Sequence, residues 1–391
     1  MTEQEIHIDK IRRELKASGV DAFLVTSNTN LYYTLGQIVM GCLYIPLKGA
    51  PVLFVRRPLG LDAKTWCGVS LQYIRKPEQI TEIMAERGIP MPQCVMLEGD
   101  AISHYEWIRY ETIFRPAVII NGTPAIQRVR SVKTEAELEL IRHSGKLHAD
   151  VYHKIPELYR PGMTDLEMSI EIEREMRRAG SLGFFRVFGQ NMEIFLGSIL
   201  AGDNAGEASP YNFALGGKGM HPSLPVGATG CLLQRGMSLM VDMGGNFTGY
   251  MTDMTRTYSI GKLTEKAYRA HHTALEIQDE IVRMLRPGVV CEDIYNRSLE
   301  MAKHNGLDDC YMGLRQQARF VGHGIGIEVN EFPVLGVRSR VELVPGMVLA
   351  VEPKFVIEGV GAVGIENTFA ITANGVEKLT ILDEEIINLE R

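Results

Sequence analysis

A chain of 391 residues is too long for one ordinary core, so two domains are expected. Its net charge of −7 and scattered Lys and Arg exclude the electrostatic footprint of a nucleic-acid binder. With 45% apolar residues it reads as globular, and no apolar run is long enough to span a membrane.

The opening stretch, MTEQEIHIDKIRRELKASG, is charged throughout and places Ile8, Ile11 and Leu15 at helical spacing before Gly19. This predicts an amphipathic helix with a glycine stop and not a signal peptide. Strands are expected at residues 21–26 (DAFLVT) and 50–55 (APVLFV), with further short apolar runs at CVMLEG and AVII. Alternation of the two periodicities gives an α/β N-terminal domain. The pattern breaks near residues 123–133, and Thr134 with Glu137 then carries the capping-box signature of a new helix. The expected domains are residues 1–128 and 129–391. Six cysteines lie far apart without a C-x-x-C pair, which is the usage of reduced thiols in a cytoplasmic protein.

The remaining two thirds contain an internal repeat. Residues 160–180 (RPGMTDLEMSIEIEREMRRAG) and 286–306 (RPGVVCEDIYNRSLEMAKHNG) both run from Arg-Pro-Gly through a helical pattern to glycine. Residues 236–242 (GMSLMVD) and 346–352 (GMVLAVE) are nearly the same strand, each ending in an acid. A second acid follows in each copy, Asp253 in the first and Glu366 in the second. The sequence therefore predicts two copies of a helix-plus-hairpin unit that bring Asp242, Asp253, Glu352 and Glu366 together.

Four buried carboxylates repel one another and are costly to desolvate unless a cation neutralises them. Hard oxygen donors suit Mn²⁺, Mg²⁺, Co²⁺, Fe²⁺ or Zn²⁺. His323, between glycines in RFVGHGIGIEVNEFP, offers an imidazole to complete the set. Each residue alone has a structural reading: Asp242 as a turn acid, Asp253 as a partner of Arg256, Glu352 as a strand-end acid, Glu366 on an exposed edge, His323 as a packed histidine. Their conjunction favours a metal site.

The motifs VDMGG, TDMTRT, GHGIGIEVNEFP, VEP and GIENT resemble the dinuclear pita-bread metallopeptidases, a group that spans methionine aminopeptidases, aminopeptidase P, prolidase and the creatinases. DAFLVTSNTNLYYTLG in the first third resembles the N-terminal domain of the creatinase and prolidase branch. The resemblance implies an α/β N-terminal domain plus an α+β pita-bread domain built on a pseudo-twofold duplication. It implies two divalent ions, Mn²⁺ first and Co²⁺, Zn²⁺ or Fe²⁺ as alternatives. Asp253 and Glu366 would bridge them, Asp242 would chelate one, and His323 and Glu352 would hold the other. Glu352 would also be the general base for a metal-activated hydroxide. The implied activity is Xaa-Pro aminopeptidase or dipeptidase, with short peptides as substrates and a homodimer as the working form. The alternative is a creatinase-like hydrolase or lyase of a small non-peptide molecule.

Three departures stand out. The family's second histidine, seven residues after the ligand histidine, is Asn330, which can donate a hydrogen bond but cannot shuttle a proton. The Arg and Asp that usually flank the last glutamate are Gly364 and Asn367. The best counterpart of the upstream catalytic histidine is His221, in GGKGMHPSLPVG. Arg256 is expected to hold a ligand carboxylate by two bonds.

Overall fold

A computed structural model describes residues 1–189 and 195–390 of the chain. It divides into two compact units, Met1–Arg130 and Ser131 onward.

In the first unit the opening helix runs Glu3–Ser18. Thr2 and Glu5 close a capping box at its start, and Gly19 ends it at φ 66°. Six strands follow: β1 (Ala22–Val25), β2 (Met40–Pro46), β3 (Val52–Arg57), β4 (Ser70–Tyr73), β5 (Cys94–Leu97) and β6 (Val118–Asn121). They form one sheet in the order β4-β3-β2-β1-β5-β6. β1, β5 and β6 are parallel, whereas β2 is antiparallel to both β1 and β3. Parallel neighbours need crossovers, and helix His104–Ile113 supplies the one between β5 and β6. Leu24, Phe54, Val95, Leu97 and Phe114 pack as the core.

The second unit contains β7 (Gly197–Ala201), β8 (Ser238–Asn246), β9 (Met251–Ser259), β10 (Phe320–Gly324), β11 (Glu331–Gly336), β12 (Val348–Val351), β13 (Lys354–Ile357), β14 (Gly361–Gly364), β15 (Asn367–Thr372), β16 (Gly375–Lys378) and β17 (Ile387–Asn388). One sheet has the order β17-β9-β8-β7, another β11-β10-β12-β15-β16, and β13 pairs with β14 alone. Helix Glu135–Tyr152 begins with the expected box of Thr134 and Glu137. Helices Asp165–Arg178 and Cys291–His304 are the two copies of the repeated helix. Ile277, Ile281, Ile294, Leu349, Val351, Phe355 and Phe369 are among the residues that fill the core.

The two copies differ in one respect from the expected pair of hairpins. β8 turns directly into its antiparallel partner β9. β12 instead pairs with β15, and the chain between them folds out as the β13–β14 hairpin. That extra hairpin brings a residue to the site that the repeat does not predict.

Candidate metal centre

Strand register sets the site. Asp242 lies opposite Thr255, and Asp253 lies opposite Gly244, so the two aspartates are diagonal neighbours on one face of the β8–β9 ladder. On β10, His323 faces Ala350 of β12, two positions before Glu352. Glu352 continues that pairing, its N–H donating to Val321 O at 2.9 Å. A β-bridge between Thr255 and Glu366 ties β9 to the start of β15 and brings in the fourth acid. All five predicted ligands thus come from two sheets joined at that bridge.

The imidazole is held in one tautomer. His323 Nδ1 donates to Gly324 O at 3.0 Å, so in the neutral ring Nε2 is the nitrogen with the lone pair. Three carboxylate oxygens surround Nε2 without a hydrogen bond: Glu352 Oε1 at 3.7 Å, Asp253 Oδ2 at 3.9 Å and Glu366 Oε1 at 4.0 Å. Glu366 Oε1 is buried and has no hydrogen-bond partner. One imidazole nitrogen facing carboxylate oxygens is a donor set that divalent ions take. Within it, Asp253, His323 and Glu366 each offer an atom within 4.8 Å of the other two.

The electrostatics make the same demand for positive charge. Burial, and then the charge of Asp242, push the Asp253 carboxyl well above the usual range. Burial and the charge of Asp253 do the same to Glu366. A cation between them removes that penalty.

One cation is already built in. Lys354, the first residue of β13, is wholly buried. Its Nζ donates to Asp242 Oδ2 at 2.8 Å, Glu352 Oε2 at 2.8 Å and Glu366 Oε2 at 2.9 Å. Burial alone would discharge the amine, but the charges of Asp242, Glu352 and Glu366 outweigh it and hold its pKa well above the ordinary lysine value. The donors around His323 therefore fit one divalent ion, whereas the Asp242 side of the cluster is taken by an ammonium. Sequence reading missed Lys354. Its signal was a lone cation in the apolar stretch VEPKFVIEGVGAV, between the candidate ligands Glu352 and Glu366.

The supporting shell departs from expectation. Arg256 does not grip the Glu366 carboxylate, whose Oε2 accepts instead from Lys354 Nζ and, at 2.8 Å, from Thr255 Oγ1. The guanidinium instead lies behind the site. Its Nη1 donates to Thr255 O and Glu366 O, its Nη2 to Asn367 Oδ1 and its Nε to Asp383 O. Asn367 passes the contact on through Nδ2 to Gln278 Oε1 at 2.7 Å and Glu384 Oε1 at 2.8 Å. The Asn330 amide pairs with the Phe188 backbone, accepting from its N–H at 2.8 Å and donating to its carbonyl at 3.0 Å. His221 is exposed in a turn, where Nδ1 contacts Ser223 Oγ at 2.8 Å and accepts from Ser223 N–H at 3.1 Å. It is not among the groups gathered at His323.

A carboxylate and histidine centre at the junction of two repeat-related sheets, in a chain that also carries an α/β domain, defines a class of metal-dependent hydrolase. Residues 139–373 match the model of metallopeptidase family M24, and residues 7–132 match the creatinase/prolidase N-terminal domain. The chain belongs to metallopeptidase family M24 and has its pita-bread catalytic fold. It is 23% identical over 383 residues to a Xaa-Pro dipeptidase of Pyrococcus furiosus, covering 97% of this chain and 99% of that one. Among solved structures, the X-Pro aminopeptidase of Thermotoga maritima superposes with TM-score 0.79 at 21% identity, covering 97% of this chain and 99% of that chain. The Xaa-Pro dipeptidase of Bacillus anthracis does so with TM-score 0.81 at 22% identity, covering 98% and 99%.

Proposed function

We propose that this protein is a metal-dependent peptidase of short peptides, cutting the bond before proline. Mn²⁺ is its working ion, and a cytoplasmic homodimer is its working form. The observation that carries the reading is the set of His323 Nε2, Glu352 Oε1, Asp253 Oδ2 and Glu366 Oε1, one of them an unpartnered buried oxygen. A divalent ion held by these four residues supplies a Lewis acid and water of lowered pKa. Free, scattered cysteines suit the reducing compartment.

Glu352 is the base in this reading. Its Oε2 is fixed by Lys354, and its Oε1 stays on the side of His323, placed to take a proton from water and return it to the leaving nitrogen. A proline nitrogen in peptide linkage has no hydrogen, so its departure depends on that returned proton. Asn330 has its amide engaged by the backbone of Phe188 and is not a direct proton donor in this scheme. His221 sits in a surface turn with Ser223 and has no step in this scheme.

Metal-stripped protein incubated with a mixed peptide library, with and without added Mn²⁺ or Co²⁺, tests the reading by mass spectrometry. The expected result is metal-dependent release of the residue preceding proline from Xaa-Pro dipeptides or tripeptides. No cleavage by metal-loaded protein would sink the peptidase reading and turn attention to a small non-peptide substrate on the same fold.

A further inference from the structure

Lys354 occupies the part of the centre that the two-ion arrangement assigns to a metal. Its ammonium contacts Asp242, the acid expected to chelate the first ion, and the Oε2 atoms of Glu352 and Glu366. An ion sharing these oxygens would need the space that Nζ fills. The opposite oxygens of Glu352 and Glu366 turn instead to His323. Each glutamate therefore divides its two oxygens between a built-in cation and the histidine side.

The hairpin that delivers the lysine is fitted to this task. Lys354 faces Gly364 across the β13–β14 ladder. Gly364 has φ +144°, and a Cβ there would lie 2.5 Å from Pro353 O and 2.7 Å from Lys354 Cα. Only glycine allows β14 to lie so close. β14 thus presents no side chain at this position, and a cation enters from the residue directly across the ladder.

Charge points the same way. One ammonium and one divalent ion already supply three of the four positive charges that four ionised carboxylates call for. A second divalent ion would also sit beside the ammonium in a buried site, where like charges interact strongly.

We propose that the Lys354 ammonium stands in for one of the two divalent ions, so that this centre takes a single divalent ion between Asp253, His323, Glu352 and Glu366. The inference rests on the metal-centre reading above but not on the identity of the substrate.

Native mass spectrometry of the full chain, stripped and then titrated with Mn²⁺, tests it by counting ions without reference to activity. The expected counts are one ion per chain in the wild type and two in Lys354→Gly, which frees Asp242. Equal counts in the two proteins would overturn the inference, and two ions in the wild type would do so while leaving the proposed function standing. No ion in either protein would overturn both. Should Lys354→Gly fail to fold, Asp242→Asn in the lysine-containing chain decides the matter. Its count stays at one if Asp242 serves only the ammonium, and a fall from two to one would overturn the inference.

Discussion

His323 illustrates how little of a side chain's role is visible in its own letter. The Gly324 carbonyl orients the ring, and three carboxylates from distant parts of the chain surround Nε2. The five acid and histidine positions that the fold gathers were legible because spacing and resemblance carry them. Lys354 was not, since a lysine opening a strand ordinarily reads as an exposed edge residue and only the fold turns it inward. The raised Asp253 and Glu366 carboxyls lead to a pH prediction. Unfolded, these groups titrate near pH 4. Folded and metal-free, they keep protons to higher pH, so their contribution to stability is present below about pH 4 and is lost as pH rises through the folded values. A divalent ion reverses the sign by favouring the ionised forms, and at low pH it must displace protons to bind. Urea unfolding with and without Mn²⁺ is therefore expected to show a larger metal-dependent increment at pH 8 than at pH 5. The increment reaches about 4 kcal/mol when free ion exceeds its Kd a thousandfold. Buried His148, pushed down to about 3 by desolvation, favours the neutral-pH form in both samples and cancels in the difference. Equal increments at the two pH values would contradict the account.

At the level of elements, the centre depends on how β8 and β9 are clamped. Tyr152, the last residue of helix Glu135–Tyr152, sends its hydroxyl between the facing residues Met243 and Met254. It donates to Met254 O at 2.8 Å and accepts from Met243 N–H at 3.1 Å. Those two residues directly follow Asp242 and Asp253, so the helix fixes both aspartates through the backbone. Tyr152→Phe is expected to cost about 1–3 kcal/mol in chemical unfolding, because two buried backbone groups lose a partner. It should also weaken Mn²⁺ binding in calorimetry, with unchanged binding and stability as the contrary result. Capping boxes and the repeated Arg-Pro-Gly helices made these elements readable in advance. The β13–β14 hairpin escaped notice because KFVIEGVGAVG is apolar almost throughout, and a buried run of that kind does not announce which strand it will pair with.

For the molecule as a whole, the donors are shared between the two halves of the repeat. Asp242 and Asp253 come from the first copy, while His323, Glu352, Lys354 and Glu366 come from the second. Neither half alone completes the set around His323, so the centre exists only when the β8–β9 and β12–β15 ladders meet at Thr255 and Glu366. The five acid and histidine positions that the sequence singles out lie together, and Lys354 stands among them. No helix among the described residues is long and apolar enough to cross a membrane. The most direct measurement is a crystal structure of Mn²⁺-soaked protein with anomalous data collected at the manganese edge. The account expects one peak per chain, within bonding distance of Asp253, His323, Glu352 and Glu366, with Lys354 Nζ still on Asp242. No peak at His323, or a second peak on Asp242 with Lys354 displaced, would contradict it.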